Sequence, residues 1–232
     1  MSLLQSLIQG PGDSSSKSSV VPSLAQIIVV DNSDARVDLT EIKGALSYKE
    51  LANLSSEALE VTSLDNNDIV NIQFTSGTTS KPKAAALTHR SILNNGFSIG
   101  ERMLLTEQDL VCCPPPLFHC FGCVLGYMAT ATHGSSIIFP SEAFDAEATL
   151  KAVQEEKCTA LYGVPTMFLR ELDLLTSGRI KREGFEHLRT GIAAGTSVPA
   201  ELMRRLHREL NLTQLTICYG MTETSKSCTT SD

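Results

Sequence analysis

The sequence predicts an α/β protein with a layered, mostly parallel sheet flanked by helices. Two observations predict it. From residue 68 onward, short apolar stretches alternate with helical patterns of about ten residues or more, the spacing that parallel pairing requires. The most unusual segments, rich in Gly, Pro, Ser and Thr, each follow one of those apolar stretches. In sheets of this kind ligands bind beyond the carboxyl ends of the strands.

The elements follow in chain order. Residues 1–9 read as a short helix, and GPGDSSSKSS (10–19) as a loop or flexible linker, so 1–24 precede a domain spanning 25–232. AQIIVVD (25–31) predicts a strand, and SYKELANLSSEAL (47–59) a helix with Ser47 and Glu50 in capping-box spacing. DIVNIQFTS is a strand, and the helix over 88–105 places Ile92, Gly96, Ile99 and Met103 on one face. DLVCCPPP is a strand stopped by prolines. The apolar, small-residue segment 121–134 predicts a helix buried all round. SSIIFP is a strand, and the helix over 144–157 turns Ala148 and Val153 inward. CTALYGVP is a strand, followed by a helix over 166–178 that stops at Gly178. HLRTGIAAG is a strand and loop, 199–210 a helix with Pro199 in its first turn, and QLTICYG the last strand.

Composition bounds the function. The chain has 232 residues, 42% hydrophobic and 19% charged, an ordinary globular balance that suits one large domain or two small ones. A net charge of −7 argues against a general nucleic-acid or anionic-membrane surface, so any polyanion site is local. No apolar run is long enough for a transmembrane segment. The start lacks the basic region of a secretory signal, and the end carries no address tag. Seven irregularly spaced cysteines fit reduced thiols. An intracellular protein is expected, cytoplasmic, with the peroxisome left open.

The loops to inspect are 75–84, 114–122, 164–166, 193–198 and 219–225. TSGTTSKPK offers backbone N–H groups freed by a glycine turn, several hydroxyls and two ammonium groups, a set that suits a polyphosphate. A helix starting near Thr88 adds its dipole. The spacing is not the Walker pattern. A solvated Ser/Thr/Lys turn is the competing reading. In YGMTETS, Tyr219 supplies a flat face for a base, Thr222 a hydroxyl and Glu223 an oxygen ligand for Mg2+. Its alternative is a strand–helix turn with a core tyrosine and a capping Thr–Glu pair. Cys120 and Cys123 form CFGC, open to a zinc reading with Cys112, Cys113 and His119, or to one as small buried hydrophobes.

The string TSGTTSKPKA (75–84) resembles the phosphate loop T-S-G-[ST]-T-G-x-P-K-G of the acyl-adenylate-forming (AMP-binding) superfamily. The later YGMTE resembles that family's Y-G-x-T-E motif, in the right order. The resemblance implies that Thr75, Ser76, Gly77, Thr78, Thr79 and Lys83 close over the β- and γ-phosphates of ATP. It implies that Tyr219 and Gly220 hold the adenine, that Thr222 contacts the α-phosphate and that Glu223 binds Mg2+. Ser80 and Ala84 replace two family glycines, and their Cβ atoms are expected to restrict positive φ and slow ATP turnover. GIAAGTSVP resembles the family's adenine loop, placing Ala194, Gly195 and Thr196 against the base. PPPLFHCFG resembles P-L-[FY]-H-x-x-G, where His119 would contact the carboxylate or gate the pantetheine tunnel, with a structural histidine as the alternative. Phe121, Gly163, Val164, Met167 and Phe168 would wall an acyl pocket for a fatty or aryl acid.

The implied fold is part of the large N-terminal domain of an acyl-CoA synthetase, of the medium-chain fatty acid–CoA ligase type. The implied reaction is ATP-dependent activation of a carboxylic acid to acyl-AMP and then acyl-CoA, with ATP, Mg2+ and coenzyme A taking part. The family's ribose-binding aspartate and its small C-terminal domain with a catalytic lysine lie outside this stretch. The chain is therefore expected to be a nucleotide-binding core, poorly active alone. The alternative is a non-catalytic remnant that binds an acyl group, a nucleotide or a partner, with self-association through uncovered surface a further expectation.

Overall fold

The computed structural model describes residues 21, 23, 24, 26–31, 45–53, 63–75, 81–224 and 229–231. The chain forms two compact units, Met1–Thr62 and Ser63–Asp232. In the first, β1 (Ile27–Val29) pairs in parallel with β2 (Ala45–Ser47), which runs into α1 (Tyr48–Ala52). The expected strand at 25–31 is present but shorter, and β2 has no counterpart in the sequence reading. The Ser47 side chain makes no capping hydrogen bond, so the expected capping box does not form. The expected helix over 1–9 and the linker at 10–19 lie outside the described residues.

The second unit opens with β3 (Ile69–Thr75) and β4 (Lys83–Thr88) as an antiparallel hairpin, its register running from Ile69↔Thr88 to Thr75↔Lys83. This corrects the expectation that the strand from 68 joins the parallel sheet. It also corrects the helix-dipole argument. Helix α2 (His89–Arg102) starts at the end of the hairpin opposite the loop, roughly 17 Å away along β4. Thr88 and Ser91 cap α2 reciprocally, Thr88 Oγ1 accepting from the Ser91 N–H at 3.2 Å and Ser91 Oγ from the Thr88 N–H at 3.1 Å. As expected, Ile92, Gly96, Ile99 and Met103 are all buried.

Beyond α2 come β5 (Leu110–Cys112), a π-helix (Phe121–Met128) that continues into α3 (Ala129–His133), and β6 (Ser136–Ile138). Then follow α4 (Ala146–Glu156), β7 (Ala160–Gly163), α5 (Pro165–Thr176), β8 (Thr190–Ala194), α6 (Ala200–Leu210), β9 (Gln214–Tyr219) and β10 (Thr229–Ser231). The spatial order is β10-β9-β8-β7-β5-β6, parallel throughout except that β10 runs antiparallel to β9. The predicted mostly parallel, helix-flanked sheet is thus present.

Both faces of this sheet are covered. Leu161 and Ala193 pack with Leu150 and Val153 of α4, Phe168, Leu172 and Leu175 of α5, and Leu202, Leu206 and Leu210 of α6. On the opposite face Ala160, Tyr162, Ile192 and Ala194 pack with Ile99 and Met103, and with Phe121, Leu125 and Ala129. Alternate strand residues therefore enter two different cores, and every residue of β7 and β8 is buried. Two inward positions differ from expectation. Tyr127 is half exposed, so the 121–133 segment is not buried all round. On α4 the buried residues are Thr149, Leu150 and Val153, with Ala148 only half-buried.

The chain order sets where a ligand can sit. From β5 the path goes to the edge strand β6 by way of the π-helix and α3 on one face. From β6 it returns past β5 to β7, β8 and β9 through α4, α5 and α6 on the other face. The winding reverses between the neighbours β5 and β7. At such a point the two following loops part to opposite faces and leave a crevice at the carboxyl ends of the strands.

Candidate functional site

A cavity of about 360 Å3 occupies that crevice. Four loops build its walls. After β5 come Pro115, Pro116, Phe118, His119 and Phe121; after β7, Val164 and Met167; after β8, Gly195; after β9, Gly220, Met221 and Thr222. His119 is the one titratable side chain, and Thr222 the one hydroxyl, among the described lining residues.

The loop after β5 is stiff for local reasons. Three consecutive prolines fix φ and withdraw N–H donors from sheet pairing. The chain turns back where the His119 N–H donates to the Pro116 carbonyl at 3.1 Å. It then lies directly on the π-helix at Gly122, where any Cβ would meet the carbonyl oxygens of Pro115 and Pro116. His119 is exposed, and its Nδ1 accepts the Phe121 N–H at 3.0 Å. That bond assigns the proton of the neutral ring to Nε2. The ring thus does the hydrogen-bonding work of a structural histidine and also lines the cavity. Beneath it, Phe121 stacks on Tyr162 at 5.9 Å, and the Tyr162 hydroxyl donates to Met103 Sδ at 3.1 Å. Full burial raises the Tyr162 hydroxyl well above its usual range, so it stays a neutral donor.

After β7, Val164 is the extended N-cap of α5 with Pro165 at the first helical position. This turn sends Val164 and Met167 to the cavity. Gly163 and Phe168 do not line it: the Phe168 ring packs against Gly163 inside the α4–α6 core layer. Of the expected acyl-wall residues, Phe121, Val164 and Met167 face the cavity.

After β8, Gly195 has φ +98, a backbone state that a side chain strains, and a Cβ there would lie 3.1 Å from Val164 Cγ1. Backbone is thereby exposed to the cavity. Ala194 is buried in the core, and Thr196 is exposed without lining the cavity.

After β9, Tyr219 is 72% exposed, which removes the reading as a core tyrosine. Gly220 and Thr222 line the cavity, Thr222 opens a 3-10 turn to Thr224, and Glu223 is exposed on that turn. The turn is held from outside. Asn95 Nδ2 of α2 donates to the Thr224 carbonyl at 3.1 Å, β4 lies against the turn, and Cys120 Sγ donates to Thr222 Oγ1 at 3.8 Å. Asn95 escaped the sequence reading; its only signal was an amide in mid-helix, where Asn is a poor helix former.

Thr75 and Lys83 face each other across the last rung of the β3–β4 hairpin. Ser76, Gly77, Thr78, Thr79 and Ser80 lie outside the described residues. Neither Lys83 nor Tyr219 lines the cavity. Ala84 pairs with Phe74 in extended strand and is not among the positive-φ residues, so the expected φ conflict does not arise there. Among the described residues no three of His, Cys, Asp and Glu converge as a metal-holding group, and no helix is long and apolar enough to cross a membrane.

Comparison with known proteins places this geometry. A model of the AMP-binding enzyme family matches residues 9–232. The chain is 55% identical over 179 residues to the acyl-CoA ligase sidI of Aspergillus fumigatus, covering 75% of this chain and 30% of that protein. It is 39% identical over 215 residues to the mitochondrial medium-chain acyl-CoA ligase ACSF2 of Danio rerio, covering 90% of this chain and 34% of that one. ATP-bound MatB from Rhodopseudomonas palustris matches with a TM-score of 0.69 at 26% identity, over 85% of this chain and 41% of the other. The chain spans about a third of the length of the curated ligases it matches. With a sheet wound around this crevice, and with the family model covering nearly its whole length, the chain belongs to the AMP-binding enzyme family.

Proposed function

We propose that this chain supplies the nucleotide pocket and the acyl wall of an acyl-CoA ligase. In the complete protein a carboxylate would attack the α-phosphate of Mg·ATP, giving acyl-AMP and pyrophosphate, and the thiol of coenzyme A would then take the acyl group. The observation that carries this reading is the convergence of His119, Gly195, Gly220 and Thr222 on one cavity at the winding reversal.

Each residue has a task its chemistry suits. Gly195, with positive φ, lets a flat base approach the backbone, and the exposed Tyr219 ring offers a stacking face. Ala194, buried, contributes backbone only, with Thr196 at the rim. The Thr222 hydroxyl donates to an α-phosphate oxygen. Glu223 sits exposed on the same turn, and one carboxylate plus phosphate oxygens is the ligand set Mg2+ favours. Bound there, Mg2+ supplies charge neutralisation. Thr75, Ser76, Gly77, Thr78, Thr79 and Lys83 grip the outer phosphates with hydroxyls and an ammonium group. His119 Nε2–H addresses the substrate carboxylate, and Phe121, Val164 and Met167 take an apolar acyl chain, that of a fatty or aryl acid. Positioning and charge stabilisation supply most of the rate in such a site, about 10²–10³ for one well-placed donor.

Isothermal titration of the 232-residue chain with Mg·ATP tests the reading. Saturable binding is expected, weakened at least about tenfold by Thr222→Val and by Lys83→Met, since each removes a bond to charge worth about 1.5–3 kcal/mol. No saturable binding, or equal affinities for wild type and both variants, overturns it.

A further inference from the structure

Cys120 is completely buried, packed among Ala85 and Leu87 of β4, Ile92 of α2 and Val124 of the π-helix. Its sulfur lies 3.8 Å from Thr222 Oγ1 and 4.0 Å from His119 Nδ1. It therefore stands directly behind two side chains that line the cavity, without lining the cavity itself. One thiol ties the loop after β5 to the turn after β9, against the strand that follows the phosphate loop.

We propose that Cys120 is a positioning residue for nucleotide binding: its thiol holds the Thr222 hydroxyl in the orientation that donates to a phosphate oxygen. The inference rests on the nucleotide reading above. A hydroxyl has one proton and two lone pairs. When the thiol donates to Thr222 Oγ1, one lone pair is engaged from the core side, and the threonine's own proton is directed toward the cavity. The contact also selects one χ1 rotamer for a side chain that would otherwise divide its time between two. Sulfur suits the task because it is a weak acceptor. It orients the hydroxyl without competing strongly for the proton that the phosphate is to receive. A serine oxygen in the same place would compete, and alanine would leave the rotamer unselected.

The test is a double-mutant cycle read with two ligands. Mg·ATP and adenosine, which has no phosphate, are titrated into wild type, Cys120→Ala, Cys120→Val, Thr222→Val and the two Cys120 variants combined with Thr222→Val. Cys120→Val fills the volume that Cys120→Ala leaves empty, so the pair separates loss of the donor from loss of packing. Both are expected to weaken Mg·ATP by about three- to tenfold, the range of one modest hydrogen bond. Both are expected to leave adenosine unchanged and to have no further effect in the Thr222→Val background. If adenosine weakens equally, if the loss persists in that background, or if Mg·ATP affinity is unaltered, the positioning role is wrong while the nucleotide reading stands. If wild type itself binds no nucleotide, the reading fails and takes this inference with it.

Discussion

Glu171 is a carboxylate buried at a cost among the described residues of the second unit. It lies on α5 among Phe168, Leu172 and Leu175, fully buried, and neither carboxylate oxygen has a hydrogen-bond partner. Burial pushes its carboxyl from 4.5 up to about 8. Between those values the unfolded chain is ionised while the folded chain keeps the proton, so the folded state binds more protons. The contribution of Glu171 to stability therefore falls as pH rises from about 4.5 to about 8, and levels off above. At pH 7 the penalty is about 3 kcal/mol. Glu171→Leu is expected to raise the melting temperature, by a small margin at pH 5 and a larger one at pH 8. A gain independent of pH would mean that ionisation is not the cause. The helical period of its neighbours places Glu171 on the apolar face, but period alone does not say whether a partner waits there.

At the scale of elements, the site depends on how closely the proline loop sits on the π-helix. A Cβ at Gly122 would come within 2.5 Å of the Pro115 carbonyl oxygen and nearer still to that of Pro116. Both obstacles are backbone, so one element must move. Gly122→Ala is expected to destabilise the fold by about 1–3 kcal/mol, the range for overpacking. It should also displace the wall that carries His119 and weaken Mg·ATP binding. Urea unfolding and titration together check this, and an unchanged midpoint with unchanged affinity would refute it. The hairpin teaches the opposite lesson about legibility. KAAALT (83–88) has the alanine content of a poor strand, yet it forms β4 because Ala85 and Leu87 gain a place against Ile92, Cys120 and Val124. Its partner β3 turns Val70, Ile72 and Phe74 outward, while the amides of Asn71 and Gln73 point inward with atoms unpartnered. The alternation of that strand points its apolar set inward, and the described residues show the reverse.

Across the second unit as a whole, the carboxyl ends of the strands open into the cavity while the opposite rim is pinned. Arg189 spans that rim. It donates to the carbonyls of Met103 and Leu104 beyond α2, to Gln214 Oε1 on β9, and to Asp109 Oδ2 ahead of β5 at 2.7 Å. Burial pushes the Asp109 carboxyl up, but hydrogen bonds from Thr159, Arg189 and the Thr106 N–H outweigh it and hold the group below the usual carboxylate range. A depressed carboxylate contributes stability that is present above its ordinary value of 3.8 and lost as pH falls through the folded value. Arg189→Met strands Asp109 in a buried site and is expected to cost about 3 kcal/mol at pH 7. The deficit should shrink at pH 3, where Asp109 takes up a proton in the variant. Chemical unfolding at the two pH values checks this, and an equal deficit at both would show that the pair is not responsible.

By itself the sequence determined the order and kind of most elements and the four loops that line the cavity. Helical and strand periods, prolines and motif strings are local, and a reader needs only neighbouring residues to find them. The cavity loops after β5, β7, β8 and β9 were all legible in this way, as were Thr222 and Gly195. The tertiary structure alone decided that β3 pairs with β4 instead of joining the parallel sheet, and that the winding reverses between β5 and β7. It alone set Cys120 behind Thr222 and Asn95 against Thr224, and left Glu171 without a partner. Those outcomes follow from which faces can be buried against one another, and that competition joins residues a hundred or more positions apart in the chain.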